Sequence, residues 1–208
     1  MSKRIGIFGG TFDPIHMGHL IMASDLYAAL GLERVLFVPA PRPPHKQVEE
    51  ISDDQDRLAM VELAIAPDPR FAINLIEFNR SGPSYTADTL ELLAADIPDA
   101  TLIFLMGEDS LYDLPTWHAP ERILRAAQIG VAARPGFDVD LSAITNAIPA
   151  AKDRIFLVPT PEVDISSRRI RQRVADGRPI TYLVPANVET YIKRRGLYHA
   201  DCASTAIR

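Results

Sequence analysis

The stretch Ile5 to Leu20, IGIFGGTFDPIHMGHL, limits what this chain can fold into more than any other. An apolar run (Ile5, Ile7, Phe8) breaks at Gly9-Gly10, passes through a short loop containing Asp13-Pro14, and opens a helical pattern from Met17. The order is strand, glycine turn, helix. Glycines at such a turn let the backbone approach a ligand, and the N–H groups and positive dipole end of the following helix favour phosphate. The end of this strand is therefore a candidate phosphate seat. His16 and His19 stand at the mouth of the helix with Gly18 between them, a spacing that on a helix puts both rings on one face.

Two alternatives for this segment fail on its residue pattern, and a third is disfavoured. A dinucleotide-binding fingerprint needs glycines at its first, third and sixth positions, and counting from Gly6 gives Gly6, Phe8 and Thr11. A Walker A loop needs Gly-Lys-Ser/Thr before its helix, and none is present. A zinc site would want a third ligand and usually histidines at i and i+4. What remains is GGTFDPIHMGH, which resembles the T/HxGH signature of the nucleotidylyltransferase superfamily. That resemblance implies transfer of a nucleotidyl group from a nucleoside triphosphate to a phosphate, with release of pyrophosphate.

The rest of the chain reads as alternating strands and helices. Leu20 to Leu30 continues a helical face that stops at Gly31, and Arg34 to Pro39 is a buried strand, completing one right-handed βαβ unit. Further strands are expected at Phe71 to Phe78, Thr101 to Met106, Ile129 to Ala133 and Ile155 to Val158. Helices are expected from a Ser52/Gln55 capping box to about Ala66, from near Ala87, over Ala119 to Ala127, and from Pro185 to about Arg195. Residues 137–153 have weak helical character only. The expected fold class is α/β: a Rossmann-like, doubly wound, mainly parallel sheet with helices on both faces and a small helical C-terminal part. Residues 1–199 should form one domain and 200–208 a flexible tail.

Bulk properties exclude several roles. A chain of 208 residues, 47% hydrophobic and with net charge −5, can bury one good core and argues against a broad nucleic-acid face. Small molecules are the expected partners, and assembly into a homo-oligomer stays open. Cys202 is the single cysteine, so no disulfide framework or cysteine metal cluster is available, which fits a reducing cytoplasm. No apolar stretch is long enough for a signal-peptide core or a membrane span.

Several loops at expected strand ends carry polar residues with two readings each. Pro43-Pro44-His45-Lys46 is either a solvated connector or a ligand loop, and its place at the carboxyl edge of a strand favours Lys46 as a phosphate-binding cation. Ser84-Tyr85-Thr86 approaches a helix start, where hydroxyls are most often caps but can hold an anion. Gly107 and Asp109 follow the most apolar strand; the aspartate could accept ribose hydroxyls or cap the next helical turn. Trp117, beside His118, either packs or stacks on a heteroaromatic ring. Ser166-Ser167-Arg168-Arg169-Ile170-Arg171 puts three arginines at a helix N-terminus, where cations oppose the dipole unless an anion lies between them.

Taken together, GGTFDPIHMGH, PPHK, SGPSYTADTL, GEDSL followed by PTWH, and ISSRRIR resemble the bacterial nicotinate-nucleotide adenylyltransferases in order and approximate spacing, from about Lys3 to Tyr198. Arg168 departs from that family's ISSTxxR form, so no hydroxyl role is carried onto it. Pantetheine-phosphate adenylyltransferases share the HxGH-type signature but lack the SYTADTL and PTW segments. The resemblance implies that His16, His19, Lys46 and Arg171 are catalytic. It implies that Gly9, Gly10, Thr11, Phe12, Gly107, Asp109 and Ser166 bind ATP, and that Ser84, Tyr85, Thr86, Trp117 and His118 bind nicotinate mononucleotide. Magnesium would arrive with ATP, because no carboxylate cluster suggests a protein-built metal site.

Overall fold

The computed structural model describes residues 3–43, 51–133 and 140–199. Six strands, β1 (Lys3–Gly10), β2 (Arg34–Pro39), β3 (Phe71–Ile73), β4 (Ala100–Gly107), β5 (Gln128–Ala133) and β6 (Ile155–Pro159), form one sheet in the order β3-β2-β1-β4-β5-β6. Every neighbouring pair is parallel. The helices are α1 (Met17–Ala29), α2 (Asp54–Ile65), α3 (Thr86–Asp96), α4 (Glu108–Asp113), α5 (Pro120–Ala126), α6 (Ser142–Ala147), α7 (Ser167–Ala175) and α8 (Ala186–Arg195).

Successive strand residues point to opposite faces, and the buried side chains divide accordingly. Phe8, Val35, Phe37, Ile103 and Leu105 pack with Leu26 of α1, Met60 of α2, Ile170 of α7 and Val188 of α8. Ile7, Leu36, Val38, Phe104 and Met106 pack with Leu90 of α3, Leu111 of α4, Ile123 of α5 and Ile144 of α6. A sheet covered on both faces has no polar side, which is why RVLFVP and TLIFLM read as unbroken apolar runs. The chain starts in the middle of the sheet, at β1, winds outward to β3, then returns to β4 on the other side of β1. The crevice at that reversal, beyond the carboxyl ends of β1 and β4, is where open α/β sheets bind ligands.

Two local expectations are corrected. The strand expected over Phe71 to Phe78 ends at Ile73, because the Asn74 carboxamide accepts the Ile76 N–H at 2.9 Å and turns the backbone. Asp53, not Ser52, caps α2 by accepting the Gln55 N–H at 2.9 Å, while the Ser52 N–H donates to Asp13 Oδ2 at 3.3 Å. Gly31 and Gly196 do terminate α1 and α8 in the left-handed region, with φ of 58° and 63°. The tail and Cys202 lie outside the described residues, as do residues 134–139.

The loop from Phe12 to His16 is buried, and one side chain clamps the backbone where it begins, at Thr11, to the segments beside it. Arg57 of α2 is 1% exposed. Its guanidinium donates to Thr11 O at 2.9 Å, Ala40 O at 2.7 Å, Pro41 O at 3.1 Å and Ser52 O at 3.1 Å. A planar fork with five donors can satisfy four carbonyls at once, which an ammonium cannot. Arg57→Met should therefore destabilise the fold by about 3 kcal/mol, and Arg57→Lys by nearly as much. The urea midpoint should fall with little change in slope, and a midpoint close to wild type would show that the clamp is dispensable.

Candidate active site

Two cavities meet at the reversal point. The larger, about 450 Å³, is lined by Gly9, Gly10, Phe12, His16, Gly18, His19, Gly107, Asp109, Trp117 and Ser166 among others. The smaller, about 220 Å³, is lined by Gly9, Gly10, Thr11, Ser84, Thr86 and Trp117, with Glu77 and Thr89 behind them. Gly9, Gly10, Phe104 and Trp117 line both. The glycine turn is thus a shared wall between two compartments, with room for one ligand on each side of it.

The histidine pair sits on that wall. His16 is the N-cap residue of α1, with extended backbone, rather than a member of the helix. Its N–H donates to His19 Nδ1 at 3.2 Å, which commits that lone pair and leaves the proton of neutral His19 on Nε2. The two rings stack with centroids 3.6 Å apart and planes 20° from parallel. His19 also receives the edges of Phe12 and Phe8, at 5.2 and 5.9 Å. Phe12 turns back through the left-handed region (φ 50°) so that its ring lies where a Cβ on Gly10 would stand, 2.9 Å away. Gly18 is required for a similar reason: a Cβ there would come within 3.1 Å of His16 Nδ1. The glycine between the histidines is space for the first of them.

Burial sets the charge of His16. His16 Nδ1 is enclosed with no hydrogen-bond partner, and desolvation pushes the imidazole down from 6.5 to about 4. At neutral pH the ligand-free protein therefore presents His16 uncharged, as a hydrogen-bonding group.

The helix N-termini are partly committed to holding the loop. The Met17 N–H donates to Leu183 O at 2.9 Å, so the first N–H of α1 is not available to a phosphate. At α7, Ser166 caps the helix by accepting the Arg169 N–H at 3.3 Å and lines the larger cavity. Ser167 Oγ donates to Pro14 O at 2.9 Å. Arg171 Nη1 donates to Asp13 O at 2.7 Å and lies 3.6 Å from the Asp13 carboxylate. Arg169 pairs with Asp164 at the surface, and Arg168 is exposed. The arginine cluster that sequence reasoning assigned to a bound anion is thus partly balanced by the protein's own carboxylates.

Not every expected residue reaches the cavities. Arg171 is outside the lining of both, braced against Asp13. Tyr85 and His118 do not line them either; their rings stack on each other at 4.1 Å, tying the start of α3 to the Trp117 turn. Trp117 meets the Phe104 ring edge-on at 6.0 Å. Lys46 lies outside the described residues. Sequence reasoning missed Arg57, Glu77, Ser167 and Tyr198, whose hydroxyl donates to Asp13 Oδ1 at 2.7 Å. The one available signal was Asp13 itself, a carboxylate inside an otherwise apolar signature loop. Among the described residues no group of three or more His, Cys, Asp or Glu side chains is placed to hold a metal ion, and no helix is long and apolar enough to cross a membrane.

Comparison with known proteins settles the lineage. A family model described as cytidylyltransferase-like matches residues 7–173. A probable nicotinate-nucleotide adenylyltransferase of Thermomicrobium roseum is 56% identical over 94% of this chain and 92% of its own length. Its counterpart in Roseiflexus sp. RS-1 is 48% identical over 95% and 98%. The chain belongs to the nicotinate-nucleotide adenylyltransferase family. Solved structures of the Plasmodium falciparum nicotinic acid mononucleotide adenylyltransferase, complexed with APC or with NaAD, share the family's fold. Their TM-scores are 0.75 and 0.76 at 21% and 22% identity, each over 94% of this chain and 97% of that one.

Two outcomes test the histidine geometry. Gly18→Ala should displace the His16 ring and lower turnover about 100-fold, measured by pyrophosphate release, with a near-normal melting curve. Acidification should also destabilise the fold. The unfolded chain takes up the His16 proton below about pH 6.5 whereas the folded chain resists it until about pH 4. Stability should therefore fall by up to about 3 kcal/mol across that window, and His16→Asn should flatten that part of the curve in urea melts at pH 7 and pH 5.

Proposed function

We propose that this chain transfers the adenylyl group of ATP to nicotinate mononucleotide, forming deamido-NAD and pyrophosphate, as a step of NAD biosynthesis in the cytoplasm. The observation that carries this reading is the pair of cavities sharing the Gly9-Gly10 wall, with the stacked histidines on it. ATP would occupy the larger cavity, with Asp109 and Gly107 at its ribose end and Ser166 at its phosphates. Nicotinate mononucleotide would place its ring beside Trp117, Ser84 and Thr86 in the smaller one. The names of the relatives, and of the ligands bound in the Plasmodium structures, support both substrates.

The chemistry asks for little beyond position. A 5′-phosphate oxygen of the mononucleotide attacks the α-phosphorus of ATP in line, the α–β bridging bond breaks, and its electrons leave with pyrophosphate. No protein nucleophile is needed, so alignment and charge stabilisation carry the rate. His19 donates from Nε2 to the transferring phosphate, and His16 donates beside it. Arg171, released from Asp13, and Lys46 would hold the phosphate chain. A divalent ion would ride in on the triphosphate and would supply charge neutralisation there when bound.

The decisive measurement is pyrophosphate release from ATP and magnesium with nicotinate mononucleotide or nicotinamide mononucleotide, for wild type and His19→Ala. Turnover with the acid, falling about 100- to 1,000-fold in the variant, is the expected result. Equal turnover with the amide would sink the assignment of the acid as substrate, and tight ATP binding without turnover would replace the enzyme by a nucleotide sensor.

A further inference from the structure

The wall of the smaller cavity contains a group that does not suit an acidic ligand. Glu77, 3% exposed, lines it together with Trp117, Ser84 and Thr86. A carboxylate in the wall of a pocket for a pyridine carboxylate would repel the ligand. It would also offer an acceptor to the N–H₂ of the corresponding carboxamide. Acid and amide have nearly the same shape, so a pocket can tell them apart only by charge and hydrogen-bond polarity.

In this structure Glu77 is fully engaged. Arg80 donates from Nη2 to Oε1 at 3.1 Å and from Nε to Oε2 at 3.2 Å, a two-pronged grip on the carboxylate. Thr89 Oγ1 donates to Oε1 as well. Arg80 is held from behind by Asp88, 3.6 Å from its Nη1, and Asp88 in turn by Arg122, at 2.8 Å, which also grips Glu91. Both oxygens that could read an amide already accept hydrogen bonds, and the charge is paired at its source.

We propose that Arg80 is a specificity-determining residue: by masking Glu77 it keeps the pocket open to the acid and blind to the amide. This rests on the smaller cavity being the pyridine site. Glu77 itself stays because it anchors Thr89, whose hydroxyl also lies 3.1 Å from Tyr85 O and so fixes the first turn of α3, where Thr86 meets the ligand. Arg80 thus acts on specificity through Glu77, without touching the substrate.

The test is the ratio of kcat/KM for nicotinate mononucleotide to that for nicotinamide mononucleotide. Arg80→Met should lower this ratio at least about tenfold, because it leaves a bare carboxylate facing the acid, while KM for ATP stays within about twofold. Adding Glu77→Gln to Arg80→Met should restore the ratio, and Glu77→Gln alone should leave it at or above wild type. A merely structural role would lower both substrates together, so a ratio within about twofold of wild type in Arg80→Met overturns the proposal. If Arg80→Met does not fold, Arg80→Gln removes the guanidinium charge and its two-pronged grip while filling similar space, and must lower the ratio in its place; an unchanged ratio there overturns it equally. Trp117→Ala separates the two readings. A raised KM for the mononucleotide keeps the pyridine site whatever Arg80 does, and an unchanged one removes it and the masking proposal together.

Discussion

The active end of this molecule depends on two buried charges, bridged by the backbone of Ser52, that line neither cavity of the proposed reaction. Asp13 and Arg57, each 1% exposed, lie beneath the glycine turn. Around them gather Ser52, Tyr198 and Arg171, so that β1, the start of α2, the start of α7 and the last described residues are tied at one place. Isolated buried ions are costly, and these are tolerated because nearly every donor and acceptor has a partner. The arginine's own affinity for its proton is lowered by burial and partly restored by Asp13. Such a network adds modest net stability but fixes one arrangement of the loop between Phe12 and His16, and the histidines inherit their positions from it.

Above this base the geometry is made by exclusion. Phe12 fills the space over Gly10, His16 fills the space over Gly18, and stacking on His19 leaves neither ring free to rotate. Two imidazoles face to face at this distance resist carrying two charges, and on the proposed reaction the pair would donate hydrogen bonds to an anion. Arg171 of α7 is attached to Asp13, so on the proposed reaction it would exchange one anionic partner for another.

The architecture was readable because its signals are periodic. Apolar runs of strand length, glycine stops and the strand–turn–helix opening predicted the parallel doubly wound sheet, and the family resemblance followed from motifs in fixed order. What sequence did not reveal are pairings over long separations. Arg57 looked like one more charge on an amphipathic helix, since nothing local distinguishes a guanidinium facing water from one facing four carbonyls. Likewise Glu77 fell inside an expected strand and Arg80 in the turn after it, with nothing in the sequence to pair them. Tyr85 and His118 stand where the motif puts them, and their rings stack on each other, because a motif fixes position along the chain and not the direction of a side chain.

The wall shared by the two cavities has one more consequence. Gly9, Gly10, Phe104 and Trp117 belong to both compartments, so a dinucleotide joined across them occupies both at once. It loses its translational freedom a single time where two separate nucleotides lose it twice, and each half holds the other at high effective concentration. On the proposed reaction, the same adjacency that aligns two substrates makes their union the tightest-held species in the cycle. The slow event is then departure, and the build-up of finished dinucleotide becomes a brake on the enzyme that made it.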